Sequence, residues 1–149
     1  MSDHAASREL VLTLYDLRLE NNEYAIRQVC SPNLHFEIMG QGTDRIVDQI
    51  KGDPDAIRHA FEYITSHWHW VRQDIHDIVC DGNTYAVRYT VTMDYLPLSR
   101  RVVMEIADFV TIENGLVTKI IEFLDTATID SLMQEAASLN KQSALRVNV

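Results

Sequence analysis

Cysteine, proline and glycine are scarce in this chain, at two, three and five among 149 residues. Cys30 and Cys80 stand fifty positions apart. They have neither the density of a secreted disulfide scaffold nor the close pairing of a zinc site, and read as two reduced thiols. Positive charge is also short: 13 Lys and Arg against 22 Asp and Glu leave a net charge of −9. That balance argues against a surface built to neutralise phosphates or to lie on an anionic membrane, so neither nucleic acid nor membrane is expected as a partner. No stretch approaches the roughly 18 apolar residues of a membrane span. The opening MSDHAASREL has no basic cluster ahead of an apolar run, so the expected address is the cytoplasm.

What is present is enough for one domain over 1–149, with a core that needs no disulfide or metal. From about Ala5 to Asn21, Leu10, Leu14 and Leu17 form a stripe widened by Val11 and Tyr15, an amphipathic helix. A shorter helix, E23-Y-A-I-R-Q-V-C30, stops at Ser31-Pro32, because proline disfavours helix in the residue before it. L34-H-F-E-I-M39 alternates and predicts a strand. D53-P-D-A-I-R-H-A-F-E-Y-I64 carries an N-cap candidate, then Pro at the first helical position, then Ile57, Phe61 and Ile64 along one side.

From Trp68 onward β-branched and aromatic residues dominate, and turn chemistry recurs at D81-G-N83, L96-P-L-S99 and E113-N-G115. Four strands are predicted near 68–80, 84–95, 100–112 and 116–125, joined by turns short enough to make neighbours antiparallel. A last helix, roughly 127–139, presents Ile129, Leu132, Met133, Ala136 and Leu139, and residues 140–149 form a tail without pattern. Helices first and a long sheet after them make the fold class α+β, with helices on one sheet face. On Y85-A-V-R-Y-T-V-T-M-D-Y95 the odd positions, among them Tyr89, Val91 and Met93, are apolar or aromatic, and the even ones polar. On the last strand alternation places a lone acid, Glu122, with Leu116, Thr118, Ile120 and Leu124.

The order of elements, together with L14-Y-D-L-R-L-E-N-N-E-Y24, L34-H-F-E-I-M39, G52-D-P-D-A-I57, Y89-T-V-T-M-D-Y95 and G115-L-V-T-K-I-I-E-F-L-D125, resembles the nuclear transport factor 2-like superfamily. Its ketosteroid isomerase and SnoaL-like polyketide cyclase branches are the nearest in pattern. The resemblance covers about residues 8–135 and implies an α+β roll: a curved antiparallel sheet whose concave face, with the N-terminal helices, encloses a cone-shaped apolar pocket. It implies a homodimer through the outer sheet face, a small apolar molecule as partner, and neither cofactor nor metal. It further implies acid/base proton transfer (isomerase, cyclase or dehydratase) on a cyclic or polyketide-like ligand. A non-catalytic ligand-binding or dimerisation module of the same fold is the competing class.

The resemblance puts Glu122 where SnoaL-like cyclases and limonene epoxide hydrolases carry an aspartate, seven residues after the hairpin glycine, and Tyr15 where ketosteroid isomerase carries its oxygen-donating tyrosine. It puts Ile38 at that enzyme's general-base position and Ala107 at its second acid, which speaks against steroid isomerisation. Glu105 is the second catalytic candidate, sharing a face with Ala107 and Phe109 in that alignment. The limonene epoxide hydrolase pattern wants an Arg two residues before an Asp on the strand 100–112. The chain offers Glu105 and Ala107, or Ile106 and Asp108 after a one-residue slip.

A carboxylate in an apolar funnel is poorly solvated when charged and holds its proton to higher pH, as a general acid or base must. The structural alternative is that Glu122 pairs with an arginine or accepts from a buried tyrosine, Tyr15 being the natural donor. Asp125 closes the same strand at the pocket rim, which makes it a further catalytic candidate, but with Thr126 after it, it reads first as a helix cap. Phe61, Tyr63, Trp68, Trp70 and Phe109 read as core and pocket wall. His67, His69 and His76 lack a third ligand at a familiar spacing, so a metal site is not expected. His35 and Glu37 alternate against Phe36 and Ile38 and belong to the outer side.

Overall fold

A computed structural model describes residues 3–40 and 50–147. Helix α1 (Asp3–Leu19) is followed by α2 (Glu23–Gln28), whose first turn is closed by Asn22 accepting from the Ala25 amide. Strand β1 (Cys30–Met39) and the two-residue β2 (Ile50–Lys51) precede α3 (Pro54–His67). At α3 the Asp53 side chain accepts from the Asp55 and Ala56 amides and Pro54 opens the helix, the predicted start. Then come β3 (Trp68–Asp81), β4 (Thr84–Tyr95), a single 3-10 turn (Leu96–Leu98), β5 (Arg100–Glu113), β6 (Leu116–Phe123) and α4 (Thr126–Val147).

The sheet runs β2-β1-β6-β5-β4-β3. The meander from β3 to β6 is antiparallel, as predicted, but β1 lies parallel to β6, with Ile38 beside Glu122 and Phe36 beside Ile120. A connection as long as the one from β1 to β6 permits this, whereas a tight turn would not. The last hairpin turns on Asn114 and Gly115, both at positive φ (52° and 75°), the geometry that an Asn-Gly pair is suited to.

The sheet's inner face carries the core. The odd residues of β4 (Tyr85, Val87, Tyr89, Val91, Met93 and Tyr95) are all buried, as the alternation predicted. Across from them stand Phe36 and Ile38 of β1 and Ile120 of β6, covered by Phe61 of α3 and by Val11, Leu14 and Tyr15 of α1. Phe36 and Phe61 stack with centroids 5.5 Å apart, and Trp68 stacks on Tyr95 at 4.2 Å. Ring pairs of this kind add about 1 kcal/mol each beyond their burial.

Three features differ from expectation. The short helix ends at Gln28 and β1 begins at Cys30, where the helix was expected to run on and the strand to start at Leu34. Helix α4 continues through Val147, where a patternless tail was expected, and residues 141–146 are exposed all round, which is why no apolar stripe marked them. Residues 148–149 of that tail lie outside the described residues. On β6 the residue sharing the buried face with Ile120 and Glu122 is Val117, with Leu116 and Thr118 only half-buried; the β5–β6 register shifts between Thr111 and Ile112, a bulge that breaks simple alternation.

Candidate functional site

The apolar stripe of α1 ends in a charge: Val11, Leu14 and Tyr15 have no exposure, and one turn further Arg18 follows on the same face. Its guanidinium lies over the Trp70 ring, 4.3 Å from the centroid, and reaches the sheet on its other side. There β5 presents Met104, Ile106, Asp108 and Val110 inward, and Asp108 stands directly opposite Glu122 of β6. The two carboxylates are 0% and 3% exposed.

Arg18 bridges them. Its Nη2 donates to Glu122 Oε1 at 2.6 Å and its Nη1 to Asp108 Oδ2 at 3.1 Å. Tyr15 donates its hydroxyl to Asp108 Oδ2 at 2.6 Å; Tyr89 donates to the same oxygen at 3.0 Å, and its hydroxyl lies 3.4 Å from Glu122 Oε1. The second oxygen, Asp108 Oδ1, is buried without a hydrogen-bond partner among the described residues.

Two acids and one base cannot all be charged comfortably in this setting. Burial, then the facing Glu122 carboxylate, push Asp108 up to about 7 against the pull of Arg18 and the two tyrosines. Burial alone would lower Arg18, but Tyr89, Glu122 and Asp108 more than offset it, so the guanidinium stays charged. Burial also lifts the Tyr15 and Tyr89 hydroxyls well above their ordinary range, so both remain donors. The short charge-assisted bond selects Glu122 as the partner of Arg18 and leaves Asp108 as the group that holds a proton near neutrality.

Glu122 is buried on the inner face, where alternation placed it, and its partner is Arg18, the pairing that was the structural alternative to a free pocket acid. Tyr15 is buried beside it, but its hydroxyl goes to Asp108. Glu105 is a correction: its side chain is 71% exposed, on the outer face, within 3.7 Å of Arg88. Phe109 is another, at 45% exposure against Phe123 on that same face. Tyr95 opposes Arg100 and Tyr89 opposes Ile106, so odd residues of β4 share their side with even residues of β5, the register opposite to the one expected. Asp125 caps α4, accepting from the Thr128 amide and hydroxyl, which hold its carboxyl below the usual range.

Ile38, Phe61, Trp68, Tyr89, Val91, Met93 and Ile120 face the concave side and are buried, with Leu124 partly buried against them, but they close on one another. The hollow beside Arg18, walled by Asn21, Ile26, Phe61, Trp68 and Trp70 among others, holds about 20 Å³, room for about one water. His67 ends α3, stacked on Tyr63 at 4.0 Å; His69 is exposed on β3; His76 meets Thr90 on the outer face; and His35 lies 3.1 Å from Glu37.

Arg18 and Asp108 are the residues the sequence reading did not select. Each carried a signal: a charge on the buried stripe of a helix, and a lone acid alternating with Met104, Ile106 and Val110. Ile106 stands where a strand arginine was sought two residues before Asp108; the arginine that meets Asp108 comes from α1.

A family model for the SnoaL-like domain matches residues 11–120. No curated protein matches the sequence. Among solved structures, an NTF2-like protein from Burkholderia pseudomallei is similar with a TM-score of 0.71 at 14% identity, covering 87% of this chain and 95% of that one. TerC co-crystallised with polyporic acid gives 0.72 at 14% identity, over 87% and 98%. SalBIII, an epoxide hydrolase/cyclase-like enzyme of pyran ring formation in polyether salinomycin, gives 0.68 at 21%, over 85% and 96%. At such identities the likeness carries the fold alone.

Proposed function

The chain belongs to the family of SnoaL-like domains, with an NTF2-like α+β fold, and on that premise we propose that it is a small-molecule enzyme working by acid/base proton transfer. The observation that carries the reading is the Asp108–Glu122 pair, two facing carboxylates bridged by Arg18 and buried in an apolar core. Asp108, pushed up to about 7, holds or releases a proton at neutral pH, and Glu122, held by Arg18 at 2.6 Å and facing it across the strands, is its complementary partner. Tyr15 and Tyr89 orient the acid.

The ligand is a small, largely apolar ring compound with an oxygen that takes the proton, of isomerase, cyclase or dehydratase type, and no cofactor is called for. The names of the structural relatives, an enzyme of pyran ring formation and a protein holding polyporic acid, support a cyclic oxygen-bearing substrate. Admission of a ring requires the wall of Phe61, Trp68 and Trp70 to part, since the present hollow is water-sized. We place the protein in the cytoplasm, where Cys30 and Cys80 stay reduced; among the described residues no helix is long and apolar enough to cross a membrane.

That closed interior favours a second reading, a binding or dimerisation module in which the buried charges only fix the fold. One experiment separates the two. Cyclic ketones and enones are incubated with the protein in D2O, and exchange of the protons next to the carbonyl is followed by NMR. The enzyme reading expects exchange that Asp108→Asn and Glu122→Gln each abolish. No exchange above buffer leaves the structural module.

A further inference from the structure

At the far end of α1 a second cluster stands apart from the buried acids. Cys80 lies near the end of β3, opposite Tyr85 of β4, and is exposed. The first turn of α1 brings His4 onto it: His4 Nε2 is 3.4 Å from Cys80 Sγ, and His4 Nδ1 is 3.2 Å from the Tyr85 hydroxyl. That hydroxyl also donates to the His4 carbonyl at 3.2 Å, and the two rings stack with centroids 5.8 Å apart.

The hydrogen bonds are compatible with one productive tautomer. With its one proton given to the His4 carbonyl, the Tyr85 oxygen is the acceptor for Nδ1–H, so Nε2 keeps its lone pair and faces the thiol. A nucleophile, a base in contact with it and a third group orienting the base make up the arrangement of an activated nucleophile. His4 and Tyr85 also line a surface groove of about 870 Å³ together with Leu10, Ile112, Glu9, Asn83 and Asn114, and Cys80 adjoins that groove through its contact with His4.

We propose that Cys80, His4 and Tyr85 form a thiol-addition site for α,β-unsaturated carbonyl compounds, independent of the Asp108–Glu122 centre. His4 Nε2 takes the proton from Sγ as sulfur bonds to the β-carbon. The alkene electron pair moves to the carbonyl as an enolate, and the imidazolium returns the proton to the α-carbon. One S–C and one C–H bond form, one S–H and one C=C π bond break, and no oxidant is involved, as it would be for a disulfide.

Cys30 is the internal control, buried, with its thiol pushed up to about 12 by burial. The folded protein is treated with N-ethylmaleimide at pH 7 and the adducts are located by mass spectrometry over time, beside a peptide of residues 77–83 that carries the same cysteine without the histidine. Cys80 is expected to react at least about ten-fold faster than the peptide, with Cys30 unmodified. His4→Ala, an exposed position whose loss leaves the core intact, is expected to return Cys80 to the peptide rate, since a positioned base contributes about 100-fold or more where it is fully effective. The rate–pH profile of the wild type is expected to show an inflection that His4→Ala lacks. Equal rates for protein and peptide, or a rate indifferent to His4→Ala, overturn the proposal.

Discussion

Asp108 is a residue whose protonation is written into the stability of the fold. Burial raises it from 3.8 to about 7, so the native state prefers the neutral acid more strongly than the unfolded chain does. The stabilising contribution is therefore complete below about pH 4 and is lost as pH rises through about 7. Thermal denaturation followed by circular dichroism from pH 4 to 8 is expected to show the melting temperature falling across that window, and the fall is expected to vanish in Asp108→Asn. The lowered carboxyls of Asp94, Asp125 and Glu135 act with the opposite sign, but their contributions are complete within about a unit above their ordinary values of 3.8 to 4.5, so they oppose the fall only at the low end of the window. Stability rising between pH 4 and 7, with Asp108→Asn no different, would refute the placement of the proton.

Between elements, one residue ties the end of α1 to the edge of the sheet. β3 is the last strand in the order, so among the described residues its outer edge has no strand as hydrogen-bond partner. Asn21 supplies one: its Oδ1 accepts from the Trp70 amide at 2.7 Å and its Nδ2 donates to the Trp70 carbonyl at 2.9 Å. The clamp sits at the register shift between Trp70 and Arg72 and holds the Trp70 ring over Arg18. Asn21 also takes a positive φ of 54°, which asparagine tolerates better than most residues. Asn21→Ala is expected to cost about 2–4 kcal/mol in urea denaturation, from the two bonds to Trp70, a third to the Leu19 carbonyl at 3.1 Å and a strained backbone, and Asn21→Gly about 1–2 kcal/mol less than that. Identical losses for the two would remove backbone strain from the account. The same elements show what a sequence discloses. Helix starts such as Asp53-Pro54, the Asn114-Gly115 hairpin and the alternation of β4 are local chemistry and were legible. The inward face of β5 was not, because it depends on how Tyr95 opposes Arg100 across the 3-10 turn, and Asp108 was hidden with it. The partnership of Arg18 with two strands is separated by 90 and 104 positions in sequence, and no local pattern carries it.

For the whole molecule, the outer face of the sheet decides whether the chain works alone. Val103, Phe109 and Phe123 are 67%, 45% and 45% exposed there, and the two phenylalanines meet edge to face at 6.1 Å. Beside them Arg88 pairs with Asp77 at 2.7 Å and approaches Glu105 at 3.7 Å, so the patch offers both signs of charge next to its apolar centre. A two-fold contact would set each patch against its own copy, aromatic against aromatic and Arg88 of one protomer against acid of the other. We propose that the chain forms a homodimer there. Sedimentation velocity at micromolar concentration is expected to give twice the chain mass of 17.1 kDa, and Phe123→Glu to give the single mass. Because Phe123 points away from Glu122 and the core, that variant is expected to keep its near-ultraviolet circular dichroism, separating loss of association from loss of fold. A wild-type chain that sediments as a monomer at every concentration would assign the exposed aromatics to some other contact.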